Sequence, residues 1–106
     1  VQRTITANDL QSKIKKQDAI TLLDVRRAED RDAEPAIIPG AKRCDPAQVE
    51  DWCAELEPSQ DIILYCVRGG SVSNSVLDAL LEKGLKARFI DGGIEAWKNA
   101  GGTIES

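Results

Sequence analysis

Ile62-Ile63-Leu64-Tyr65-Cys66-Val67-Arg68-Gly69-Gly70-Ser71 decides how the rest of this chain is read. An apolar run ends in a cysteine and a Gly-rich turn. Beyond the turn, Val72, Val76, Leu77, Leu80 and Leu81 are spaced for one face of a helix. A buried strand that empties into a short loop and then a helix is half of a βαβ unit. It delivers a thiol just ahead of a helix N-terminus. Loop N–H groups and the positive end of the helix dipole favour a thiolate there and offer a site to an anion. Position 66 thus points to a nucleophile and, through its surroundings, to an anionic substrate.

The pattern repeats on either side. Thr6 is placed to cap a helix with Asp9 in its first turn, and Ala7, Leu10 and Ile14 share a face. Ile20 to Val25 reads as a buried strand ending at Asp24-Val25-Arg26. The charged stretch from Arg27 to Glu34 reads as a short helix or loop. Ile37-Ile38-Pro39-Gly40-Ala41 turns into a short strand near Lys42-Arg43-Cys44. Asp45-Pro46 starts a helix, with Val49, Trp52, Cys53 and Leu56 on one apolar face. Gly84 ends the helix after Ser71, and Arg88-Phe89-Ile90 is a last strand. Asp91-Gly92-Gly93 then leads into a short helix bearing Trp97, closed by Gly101-Gly102. This alternation implies βαβ units around a parallel sheet. Ligands of such sheets bind beyond the carboxyl ends of the strands, where Asp24 to Arg26 and Cys66 both fall.

With 106 residues and 42% hydrophobic content, a single domain over 1–106 is expected, able to bury a core without disulfides or metals. Lys and Arg number 14 against 18 Asp and Glu, and they are spread along the chain, which argues against a nucleic-acid surface. No apolar run approaches the roughly 18 residues of a membrane span. Val1-Gln2-Arg3-Thr4 carries no signal-peptide pattern. The absence of any Met, position 1 included, suggests a processed chain or a piece of a longer one, so a removed targeting segment stays open. Three cysteines without CxxC spacing, and no His, fit neither a zinc site nor a disulfide framework. A reducing compartment, the cytoplasm, is the default. Cys53 beside Trp52 reads as core packing and Cys44 as structural, while Asp24 and Arg26 read as an ion pair that holds a strand end and supports the loop.

Taken in order, four segments make the chain resemble a single-domain rhodanese, a sulfurtransferase: Asp24-Val25-Arg26, Ile38-Pro39-Gly40-Ala41, the six-residue loop Cys66 to Ser71, and Asp91 to Lys98 with Gly101. The resemblance implies a three-layer α/β sandwich, a five-stranded, mostly parallel sheet of order 3-2-4-5-1 with helices on both faces. It implies that Cys66 attacks the outer sulfur of thiosulfate or a similar small anionic donor, forms a persulfide, and passes the sulfur to a thiol or thiol protein. No cofactor or metal is implied, and a monomer is expected. N–H groups from Val67, Arg68, Gly69, Gly70 and Ser71 would cradle the anion, with Ser71 also capping the helix and Arg68 supplying positive charge. Two departures stand out. Ala36-Ile37 occupies the place where many members have Gly-His, and the segment before the turn looks slightly long.

Other functions compete. Cysteine phosphatases and arsenate reductases clamp an oxyanion with an Arg six positions after the cysteine, and Val72 stands there. Mercaptopyruvate-using relatives usually have Gly directly after the cysteine, where this chain has Val67, so thiosulfate is favoured. A non-catalytic binding or regulatory module of a larger protein is the alternative, although such modules often lose the cysteine.

Overall fold

The structure, a computed structural model, describes residues 3–68 and 70–105. In chain order the elements are β1 (Thr4–Ile5), α1 (Ala7–Lys15), β2 (Thr21–Asp24), α2 (Ala28–Ala33), β3 (Lys42–Arg43), α3 (Val49–Trp52), β4 (Ile62–Tyr65), α4 (Ser71–Glu82), β5 (Ala87–Ile90) and α5 (Gly93–Asn99). The five strands form one parallel sheet in the order β1-β5-β4-β2-β3, the expected order read from the other edge. Its centre is β4, with Thr21 to Asp24 of β2 opposite Ile62 to Tyr65 on one side and β5 on the other.

Strand alternation sorts the core into two clusters. Ile62, Leu64 and Cys66 point to one face, where they meet Val76, Leu77 and Leu80 of α4 together with Cys44 and Cys53. Ile63 and Tyr65 point to the other, against Leu10 of α1 and Ile94 and Trp97 of α5. Helices therefore cover both faces, and every residue of β4 is fully buried, as a continuous apolar run in a parallel sheet requires. No helix among the described residues is long and apolar enough to cross a membrane.

The caps explain where helices begin and end. Thr6 Oγ accepts from the Asp9 N–H at 3.1 Å. Gly84, at φ +79°, closes α4: its N–H reaches the Leu81 carbonyl and that of Leu85 the Leu80 carbonyl. Two expectations need correction. Ile14 shares a face with Ala7 and Leu10 but is 39% exposed, because the last turn of α1 reaches only the lip of a shallow hollow with Pro39 and Trp97. The helix expected from Asp45 is a broken one: a 3-10 turn (Pro46–Gln48), α3, and a second 3-10 turn (Cys53–Glu55). Asp45 does cap it, accepting from Ala47 N–H. Its carbonyl, however, is taken by the Gln48 N–H and the Trp52 indole, which tightens the first turn. The apolar face survives, with Cys53 buried and Val49, Trp52 and Leu56 packed against the same cluster.

Candidate active site

Cys66 is the first residue beyond β4 and is only 6% exposed. Val67 is half-buried, while Arg68, Gly70 and Ser71 are exposed. Gly69, expected in the anion cradle, lies outside the described residues. Ser71 is not the cap of α4 but its first residue. Gly70 takes the N-cap place with φ −93° and ψ −140°, so the helical ladder starts one residue early, from the Gly70 carbonyl to the Asn74 N–H at 3.1 Å. The Asn74 side chain donates to that same carbonyl. Gly70 has no side chain to give, so it makes no side-chain cap to the first-turn N–H groups of α4.

The loop is held from the other direction by α5. The Ile94 N–H donates to the Cys66 carbonyl at 3.0 Å, and the Glu95 N–H to the Val67 carbonyl at 3.2 Å. Gly92 and Gly93 make this approach possible, with φ of +81° and +64°. A Cβ on Gly93 would lie 2.5 Å from the carbonyl oxygens of both Cys66 and Val67. From the sequence, the double glycine reads as a turn and as part of the fourth segment of the resemblance, with no contact to the Cys66 loop. Its signal was two successive glycines after a strand, a demand for positive φ and close backbone contact.

Asp24 and Arg26 form a buried pair at the neighbouring strand end, each with its side chain 1% exposed and 2.9 Å between Asp24 Oδ2 and Arg26 Nη2. Arg26 Nη1 donates to the Glu34 carbonyl and Nη2 to that of Ala36, both at 2.9 Å. Its guanidinium lies 5.9 Å from the centre of the Tyr65 ring. Burial works against the Arg26 charge, but the hydrogen bond and charge of Asp24 more than offset it, and the pKa is raised. Burial likewise pushes up the Tyr65 phenol, whose oxygen accepts from the Ile38 N–H. Asp24 pairs across the sheet with Tyr65, the residue before Cys66. The ion pair therefore lies against Tyr65, one residue before Cys66.

Cys44 and Cys53 are buried free thiols in the same core cluster as Cys66. Burial pushes the Cys44 thiol up. The Cys53 thiol donates to the Glu50 carbonyl at 3.6 Å.

Connections leave β4 toward β5 and β2 toward β3, in opposite directions across the sheet, so the switch point lies between β2 and β4. A cleft of about 510 Å³ opens there, lined by Arg27, Glu29, Asp45, Ser71, Val72 and Val76 among others. It runs alongside the start of α4, immediately after the Cys66 loop.

Comparison with known proteins gives concordant matches. The Rhodanese-like domain family matches residues 6–100. "Putative sulfurtransferase YtwF" of Bacillus subtilis (strain 168) is 28% identical over 96 residues, covering 91% of this chain and 90% of that protein. Among solved structures, a rhodanese-related protein from Thermoplasma volcanium superposes with a TM-score of 0.82 at 26% identity, covering 97% of each chain. A rhodanese-like domain protein from Staphylococcus aureus gives 0.82 at 26% identity, covering 98% of this chain and 99% of that one.

Proposed function

The chain belongs to the rhodanese-like domain family, and from that premise we propose that it is a sulfurtransferase whose sulfur carrier is Cys66. One observation carries the reading: the thiol ends the central strand at the switch point of the sheet, in a short loop before a helix whose N-cap has no side chain. N–H groups of such a loop favour negative charge. The reaction needs that twice, for the dianionic donor and for the persulfide anion left on the enzyme.

The Cys66 thiolate attacks the outer sulfur of thiosulfate. A new S–S bond forms, the old one breaks, and sulfite leaves with the electron pair. The total charge of −3 is the same on both sides, one from the thiolate and about two from thiosulfate. An acceptor thiolate then attacks the outer persulfide sulfur and departs as a persulfide, returning Cys66 as thiolate. Arg68, exposed beside the loop, adds positive charge for an anionic donor to a chain of net charge −4. Val72 leaves the first turn of α4 without the arginine that phosphate chemistry would use.

Thiosulfate followed by intact-mass measurement tests this. Wild type is expected to gain the mass of one sulfur atom, which cyanide removes as thiocyanate, and Cys66→Ser is expected to do neither. Equal thiocyanate from both proteins would overturn the proposal. A wild type that never acquires sulfur would favour a binding module instead.

A further inference from the structure

We infer that α5 aims two donors of the Cys66 loop, and that Gly93 is the residue that lets it do so. In a trans peptide, C=O and N–H point in opposite directions across one rigid unit, and no described peptide is cis. The Cys66 carbonyl is drawn to the Ile94 N–H, so the Val67 N–H must point away from α5. The Val67 carbonyl is drawn to the Glu95 N–H, so the Arg68 N–H must point away as well. Among the described residues no main-chain hydrogen bond uses either N–H. Two loop donors are thus turned away from α5 and held in one direction by main-chain bonds from that helix. Gly93 sets how near that helix comes, since a Cβ there would press on both carbonyl oxygens at 2.5 Å. Gly93, Ile94 and Glu95 are positioning residues, acting through the Cys66–Val67 and Val67–Arg68 peptides.

The inference rests on Cys66 as the reactive thiol, but its test does not depend on sulfur transfer. Iodoacetate and iodoacetamide both alkylate a thiolate by displacing iodide, and only the first is an anion. The ratio of their rates at Cys66, read by peptide mapping and divided by the ratio for a small free thiol, reports donors aimed at an anion. In wild type the ratio is expected to exceed the free-thiol value about tenfold, the scale of one hydrogen bond to a charged group. Gly93→Ala is expected to lose most of that preference. Gly101→Ala is the control, because Gly101 also has positive φ, +82°, but nothing within 4 Å of its Cβ position. It is expected to melt earlier and keep the preference. Should Gly93→Ala fail to fold, replacement of the Gly93–Ile94 amide by an ester removes the Ile94 donor and leaves every side chain in place, with the same expected loss. A wild-type ratio equal to that of the free thiol would overturn the inference. So would a preference untouched by Gly93→Ala or, where that variant does not fold, by the ester, or one lost equally in Gly101→Ala. Failure of thiosulfate to load Cys66, with the alkylation pattern intact, would remove the sulfurtransferase reading and leave this one standing.

Discussion

Arg26 is the largest of the fully buried side chains, and a buried cation survives only when its donors are satisfied. Here they are divided between the Asp24 carboxylate and the main-chain carbonyls of Glu34 and Ala36, with the flat face toward Tyr65. Lysine carries the same charge without the planar fork and cannot reach all these acceptors at once. Arg26→Lys is expected to cost about 2–4 kcal/mol, and Arg26→Met, which strands Asp24 as a buried charge, about 3–5 kcal/mol. Urea unfolding midpoints measure both, and a lysine variant as stable as wild type would refute the assignment. The i, i+2 spacing at a strand end made the ion pair legible in the sequence. The carbonyl partners were not, because the segment they come from has no period to place it. The same contacts make no demand on the side chains of Ala36 and Ile37. Ala36 contributes its carbonyl, and Ile37 exchanges both main-chain groups with Glu105 at 2.7 Å, so neither bond depends on the side chain.

At the level of elements, α2 and α5 are tied by Glu34, which caps the end of α2 and pairs with Lys98. The hydrogen bond from Lys98, then its charge, holds the Glu34 carboxyl below its ordinary 4.5. A carboxyl depressed in the folded state stabilises it above the unfolded value and stops doing so as pH falls through the folded one. The stability difference between wild type and Glu34→Gln is therefore expected to be constant at neutral pH. It should begin to shrink as pH drops toward 4.5 and vanish once Glu34 is protonated in the folded protein. It should also shrink in high salt, since Glu34 is 46% exposed. A difference that grows in acid would contradict the pairing. Strands and long helices were legible because their periods are strong: Ile62 to Tyr65 and Val72 to Leu81 declare themselves. What escaped was set by contacts distant in sequence or by single main-chain bonds. The grip of α5 on Cys66 joins residues 66 and 94, and one early bond from Gly70 to Asn74 moved Ser71 out of the cap.

Across the whole molecule, stability is expected to fall from the centre of the sheet to its rims. β4 is fully buried, bonded on both sides, and packed into both core clusters, so freeing its amides means dismantling the core. β3 is a two-residue edge and α2 buries no residue, so both can open while the core persists. Native-state hydrogen exchange should then show Leu64 and its neighbours in β4 exchanging only through global unfolding, at about 5–15 kcal/mol, with Cys44, whose N–H bonds to Asp24 beside β3, opening several kcal/mol lower. This ordering bears on the site. Cys66 extends directly from β4, while Arg27, Ala28 and Glu29, on the opposite wall of the cleft, belong to the start of α2. The cleft beside the Cys66 loop thus has one wall expected to open at lower free energy than the strand the loop leaves, and under the proposed sulfur transfer that wall would yield to a small donor and then to a bulkier acceptor. Protection at Cys44 equal to that at Leu64 would show that the sheet opens as one unit, with the cleft wall as firmly held as the strand that carries Cys66.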